Sequence, residues 1–304
     1  MRPEAARPSY LSHVAPPDDR PSGEVRRTSH DGRDPRSWDD DALQEALDRA
    51  GDSAWGPVAV IPSTGSTNAD AVDQVQEGAP EGFTVVADEQ TEGRGRLGRA
   101  WTSPYGAGIA MSVVLRPMVP DAAWGWIPLL TGVAVVEALA QQGVAARLKW
   151  PNDVVVDGDA RDGSPGPRKL GGLLAERSGA AVVVGIGVNV DLTAEEAPVA
   201  RATSTRLEGV DVQREQLVVD VLVALRRHYL LWQLAAGDPE RSGLLDAYRA
   251  ACLSLGARVR VLLPGGGELL GAALDVDGSG RLLVRGDDGA EHALSAGDVE
   301  HLRA

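Results

Sequence analysis

Two lysines and three asparagines stand out in this chain. Of its 30 basic residues only Lys149 and Lys169 are lysines, and the asparagines are Asn68, Asn152 and Asn189. A lysine ammonium is a compact point charge and an arginine guanidinium a planar fork, so neither replaces the other where geometry matters. In a sequence this rich in arginine and glycine, a remaining lysine or asparagine marks a position that its substitute does not serve. All five fall in short motifs: Gly65-Ser66-Thr67-Asn68, Lys149-Trp150-Pro151-Asn152-Asp153, Lys169-Leu170-Gly171-Gly172 and Gly185-Ile186-Gly187-Val188-Asn189. Loops and strand edges are where sites are built. Cations beside amide side chains suit a ligand with phosphates and a polar heterocycle.

A further run, Gly93-Arg94-Gly95-Arg96-Leu97-Gly98, formally matches the dinucleotide fingerprint G-x-G-x-x-G. That fingerprint must open a helix whose N-terminus faces a pyrophosphate. Here the glycines run into Arg99-Ala100-Trp101-Thr102-Ser103-Pro104, and the proline disfavours helix at Ser103. A Rossmann site is therefore excluded, and no G-x-x-x-x-G-K-[ST] loop occurs. Two readings of the run stand. Glycine lets backbone approach a ligand while arginine forks grip carboxylate or phosphate, or the run is a solvated hairpin. Trp101 and Trp150 are likewise open between core packing and ligand contact.

The elements that must position these motifs read as α/β, with helix and strand patterns alternating. A short helix is expected over 39–50, with aspartates at its entry. Strands are expected over 58–61, 83–87, 108–115, 144–149, 154–156, 173–176 and 181–190, and helices over 69–76, 122–142, 212–235 and 243–253. From Gly256 the texture changes to five short strands separated by glycine turns, the pattern of a small SH3-like β-barrel. Residues 1–37, rich in Pro, Asp, Arg and Ser without periodicity, read as a disordered tail. The expected organisation is that tail, a catalytic domain over 38–252 and an SH3-like domain over 256–304.

The bulk numbers bound the function. The chain has 304 residues and 43% of them are hydrophobic, enough to build a core. A formal net charge of -14 argues against duplex DNA, whose affinity rests on many phosphate contacts from Lys and Arg. The short helix at 39–50 leaves no room before it for a helix-turn-helix of ordinary size. The single cysteine, Cys252, excludes an intramolecular disulfide, favours a reducing compartment and reads as a small core residue. The N-terminus carries no signal peptide, and the segment near 122–142 is shorter and more polar than a membrane span needs. A cytoplasmic protein without membrane contact is the expectation.

The motifs, together with Glu89-Gln90-Thr91-Glu92 leading into the Gly/Arg run, resemble in order and spacing the motif set of biotin protein ligases over roughly residues 55–304. The resemblance implies a catalytic domain similar to the class II aminoacyl-tRNA synthetase core and the lipoate ligases. It implies ATP, biotin and Mg2+ as ligands, and a biotin carboxyl-carrier domain of an acetyl-/acyl-CoA or pyruvate carboxylase as partner. By this resemblance Ser66, Thr67 and Gln90 bond the biotin ring and ureido group, with Asn68 in the same motif. Arg94 and Arg96, beside Gly93, meet the biotin carboxylate and the adenylate phosphate, Arg96 retaining the intermediate. Lys169, followed by Gly171, contacts the carboxylate and α-phosphate. Lys149, Asn152 and Asp153 line the nucleotide side, with Asp153 an acid-base or orienting group, and Asn189, after Gly187, reads adenine. No dense carboxylate cluster names protein ligands for magnesium.

The sequence departs from the family at 157–168, a Gly/Pro/Asp-rich segment longer than the usual turn and expected to be flexible. Without a DNA-reading domain, the implied form is a ligase with no repressor role, and monomer and homodimer are both compatible with it. A lipoate-type ligase and a non-catalytic biotin or nucleotide sensor are the competing functions.

Overall fold

The computed structural model describes residues 37–51 and 55–302. The expected tail therefore lies, apart from Ser37, outside the described residues. Helix α1 (Asp40–Ala50) starts at Asp39, whose carboxylate accepts the Ala42 amide at 3.0 Å. There follow β1 (Val58–Ile61), α2 (Thr67–Gln76), β2 (Thr84–Ala87), β3 (Gly108–Leu115), α3 (Ile127–Gln141), β4 (Ala146–Lys149), β5 (Asp153–Val156), β6 (Arg168–Ser178), β7 (Ala181–Asn189), α4 (Arg214–Leu234) and α5 (Leu244–Ala251). The C-terminal strands are β8 (Arg258–Leu262), β9 (Glu268–Val276), β10 (Leu282–Gly286), β11 (Glu291–Leu294) and β12 (Asp298–Leu302).

Seven strands form one sheet in the order β1-β2-β3-β7-β6-β5-β4. Only β1 and β2 pair in parallel; every other neighbouring pair is antiparallel. The period-2 alternation of strands sorts their side chains. Met111, Val113 and Leu115 of β3, with Val182, Val184, Ile186 and Val188 of β7, enter the main core beside Leu130, Leu139, Leu217 and Leu225 of α3 and α4. The opposite face carries Val114 and Val183, packed with Ala71 of α2. Asn68 of α2 and Gly185 of β7 meet on this second, thinner face.

The C-terminal strands form an antiparallel sheet in the order β11-β10-β9-β8-β12. Its inward residues, among them Val259, Val261, Leu282 and Val299, are continuous with the main core. Docking depends on close backbone approach, because a Cβ on Gly125 would fall 2.2 Å from the Ser279 carbonyl oxygen. Two buried tryptophans seal the junction. Trp126 donates its indole N–H to the Asp277 carbonyl at 3.1 Å, and Trp150 donates its own to Gly280 at 3.3 Å.

Two expectations change. The segment Asp121–Gln141 is long and apolar enough to cross a membrane by length and composition, which the sequence reading denied. It is instead largely buried as the central helix, preceded by a 3-10 turn over Asp121–Trp126. Nor is the excursion at 157–168 free of contacts. Arg161 donates to the carbonyls of Ala202 and Val199, Arg201 donates to Pro165 at 3.0 Å and Pro167 at 3.2 Å, and Arg168 forks onto Glu208 with both distances 2.8 Å. Four arginine-backbone and two arginine-carboxylate bonds tie the segment to residues 199–208, a constraint that composition does not reveal. Cys252 is buried, as expected of a core residue.

Candidate active site

The sheet order sets the plan of the site. It puts the α2 N-terminus and the loop after β2 above β3 and β7, while the β4–β5 turn stands at the opposite edge across β6. Between them lies a cavity of about 390 Å³, within the range of small-molecule sites. Its floor is glycine because larger residues would fill it. A Cβ on Gly187 would lie 2.7 Å from the Trp101 ring, and one on Gly185 would lie 2.4 Å from Asn68 Oδ1. Gly172 of β6, paired with Gly187, completes the floor.

Beside α2, the lining comprises Ser66, Thr67, Asn68 and Gln90. Ser66 precedes the helix without a side-chain capping bond. Gln90 Oε1 accepts from the Thr67 backbone N–H at 2.9 Å, which leaves Nε2 as its donor end. At the opposite edge Asp153 sits between two ammonium groups, with Lys169 Nζ at 2.6 Å from Oδ1 and Lys149 Nζ at 3.8 Å from Oδ2. Lys169 also stands 5.7 Å from the Trp101 ring centroid, within cation–π range. Burial pushes the Lys149 ammonium below its ordinary value, with Lys169 and Arg201 acting in the same direction and Asp153 opposing. Asn152 is fixed by donating to Leu173 O at 2.9 Å, and its Oδ1 accepts from Arg96 at 3.3 Å.

Over the cavity runs the Gly/Arg loop, closed by Gly95 N donating to Arg99 O at 2.7 Å and Trp101 N donating to Gly93 O at 2.8 Å. Leu97, at its tip, is 68% exposed with φ 58°, a left-handed conformation unfavourable for leucine. Burial lowers the Arg96 pKa, opposed by Asp298 and Asp153. Arg99 pairs with Asp298 of β12, so the C-terminal sheet holds the loop. Asp298, Val299 and Glu300 line the same cavity.

Most of the residues singled out in the sequence therefore meet in one place: Ser66, Thr67, Asn68, Gln90, Arg94, Arg96, Trp101, Lys149, Asn152, Asp153, Lys169 and Gly187 all line it. Three do not. Gly93 and Gly171 stand behind the wall, where a Cβ would strike Trp101 O at 2.4 Å and Gly187 O at 2.5 Å respectively. Asn189 is buried, donates to Thr203 O at 2.9 Å and borders a small crevice shared with Gln90, Trp101 and Ser103. Trp150 combines both readings offered for it, being 1% exposed yet touching the cavity wall. Sequence reasoning missed Arg201 and the β12 residues. Arg201 reaches the cavity because Lys169 N donates to its carbonyl at 2.7 Å, a contact between distant segments.

The lining holds six cations (Arg94, Arg96, Arg99, Lys149, Lys169, Arg201) against three carboxylates (Asp153, Asp298, Glu300). In a chain of net charge -14, this is a built anion site with an uncharged polar group at its other side. A fold and cavity of this kind define an acid-activating, nucleotide-using ligase, and the comparisons agree. Residues 59–192 match the Biotin/lipoate A/B protein ligase family, and residues 254–302 match the Biotin protein ligase C terminal domain. The Biotin--[acetyl-CoA-carboxylase] ligase of Mycobacterium tuberculosis is 39% identical over 271 residues, covering 87% of this chain and 96% of that protein. The Bifunctional ligase/repressor BirA of Escherichia coli is 31% identical over 76% of this chain and 70% of its own length. The solved biotin protein ligase from Aquifex aeolicus in complex with biotin and ATP superposes with a TM-score of 0.64 at 27% identity, covering 81% of this chain and 99% of that one. The chain belongs to the biotin protein ligase family.

Proposed function

We propose that this protein joins biotin to ATP, forming biotinyl-5'-adenylate, and then passes the biotinyl group to a lysine of a biotin carboxyl-carrier domain. The observation that carries this reading is the division of one cavity into an uncharged hydrogen-bonding side and a cationic side bridged by the Gly/Arg loop. Thr67 and Gln90 suit a cyclic urea, and the lysines and arginines suit a carboxylate meeting a phosphate.

In the first step a biotin carboxylate oxygen bonds to the α-phosphorus of ATP and pyrophosphate leaves. Two anions must approach, so cations fixed in advance lower the barrier without reorganising during the reaction. Lys169, held by Asp153 and beside Trp101, offsets the repulsion at the carboxylate and α-phosphate. Lys149 and Arg201 act on the nucleotide side, and Arg94 and Arg96 act from the loop. In the second step the carrier amine attacks the acyl carbon, its proton is lost and AMP leaves. Asp153 orients both lysines throughout. The loop, held by Arg99 to Asp298, keeps water from the mixed anhydride. The adenine-reading role that the motif implies for Asn189 gains no support from its position, buried outside the cavity with its amide N–H donating to Thr203 O.

Magnesium enters as part of the Mg-ATP substrate. Among the described residues no group of three or more His, Cys, Asp and Glu side chains could hold a metal ion. Asp153 is already engaged by two lysines, so the donor set does not fit a protein cage and no step is assigned to one.

The finer architecture proposed is a catalytic domain over 38–252 related to the class II synthetase core, and residues 256–304 curling as an SH3-like barrel. The natural partner would be a cytoplasmic biotin-dependent carboxylase. Incubation with biotin, Mg-ATP and an unmodified carrier domain should add one biotinyl mass to the carrier. Absence of that mass, with carrier and ATP intact, would refute the reading.

A further inference from the structure

Ser112 of β3 is fully buried and is not among the residues lining the cavity. Its Oγ nevertheless lies 2.8 Å from Thr67 Oγ1 and 2.7 Å from Asn68 Oδ1, two groups that do line it. A serine hydroxyl has a single proton, so Ser112 cannot donate to both. Which one receives it follows from Asn68. The Asn68 amide nitrogen lies 2.5 Å from Glu176 Oε2 and 3.3 Å from Leu174 O, and both of those are acceptors. The amide is thereby oriented, leaving Oδ1 facing Ser112 as an acceptor that the serine proton must satisfy.

The Thr67 hydroxyl then has two inward partners. It can donate to Ser112 Oγ, or to Gln90 Oε1 at 3.1 Å. In both arrangements its proton is used inside the wall, and Thr67 offers only lone pairs to the cavity. Gln90 is fixed in the opposite sense, since its Oε1 already accepts the Thr67 backbone N–H and its Nε2 is left as a donor.

We propose that Ser112 is a positioning residue that, with Glu176 and Asn68, polarises Thr67 as an acceptor and thereby makes the cavity select a ligand presenting N–H beside C=O. This deepens the ligase reading above and rests on it. A ureido ring offers that pair; a dithiolane ring offers neither group. The choice of acid is thus set partly by a side chain that the acid does not touch. The geometry allows little variation, because a Cβ at Gly185 would fall 2.4 Å from Asn68 Oδ1 and displace the chain.

The test is a double-mutant cycle of Ser112→Ala and Thr67→Val, read as the biotin dissociation constant without ATP, with the KM for ATP measured in parallel. One neutral hydrogen bond predicts that Ser112→Ala weakens biotin by about 3- to 10-fold. If Ser112 acts through Thr67, adding it to Thr67→Val costs less than about two-fold more. The KM for ATP should not follow, as it would if the sheet were merely distorted. Additive losses, or a parallel rise in the KM for ATP, would overturn the proposal while leaving the ligase reading intact. A wild-type protein that binds no biotin would overturn both.

Discussion

Replacing Lys169 by Ala tests the electrostatic core of the mechanism. The ammonium lies 2.6 Å from Asp153 and its side chain is 36% exposed, so it is neither deeply buried nor free in water. A unit charge about 4 Å from a developing anion contributes about 4 kcal/mol at an effective dielectric near 20. Partial exposure and the neighbouring carboxylate screen that, leaving about 2–3 kcal/mol, or roughly 30- to 150-fold in rate. The readout is single-turnover formation of biotinyl-adenylate without carrier, followed by chromatography. Folding gives an internal control. Asp153 keeps Lys149 at 3.8 Å when Lys169 is gone, so no carboxylate is orphaned and the thermal midpoint should fall by less than about 3 °C. An adenylation rate within three-fold of wild type, in a protein of unchanged midpoint, would refute the role given to Lys169.

Other expectations follow from single contacts. Gly187→Ala sets a methyl 2.7 Å from the Trp101 ring, so it should shift tryptophan fluorescence and weaken ATP and biotin together by at least about ten-fold; an unperturbed spectrum would contradict the packing. Arg96→Gly should raise release of biotinyl-adenylate into solution, trapped there with hydroxylamine, more than it slows its formation; unchanged leakage would remove the retaining role. Because burial lowers the Lys149 pKa in the folded protein, the unfolded chain binds more protons between the folded value and 10.5. Stability should therefore gain from Lys149 as pH rises through that window, the cost of its buried charge being present below it. In denaturant melts Lys149→Met should flatten this alkaline rise, and an identical slope in both proteins would count against the assignment.

The sequence makes much of the fold legible, for reasons that show in particular elements. The apolar runs at 108–115 and 181–190 mark strands, and the structure buries most of both their faces. The five short C-terminal strands follow from their glycine turns. Twelve lining residues were readable: Lys149, Lys169, Asn68 and Asn152 because Lys and Asn are rare here and cluster in motifs, and the others through those motifs and the family they resemble. What stayed hidden depends on long-range packing. Arg201 resembles any other arginine until its backbone pairs with Lys169. Asp298 and Glu300 sit on a strand of ordinary composition, and their role arises only when β12 docks over the loop. The segment near 122–142 looked too polar for a membrane because Glu137, Gln141 and Gln142 were weighed above its long apolar stretch, which the structure buries against α4 and the sheet.

One of those hidden residues, Asp298, shares with Asp153 the task of balancing the charge around the cavity. Six cations around one cavity repel each other, and burial adds to the cost, as the lowered values of Lys149 and Arg96 show. Asp153 supplies compensation from β5, and Asp298 supplies it from β12 through Arg99. With the cations already held by carboxylates, binding an anion exchanges one set of anionic partners for another instead of ordering long side chains anew. The cost is a weaker net field on the ligand; the gain is preorganisation at the transition state. The C-terminal sheet is therefore part of the electrostatic design of the site. Its removal would expose apolar residues and also leave the Gly/Arg loop with excess positive charge and without its Arg99–Asp298 tie.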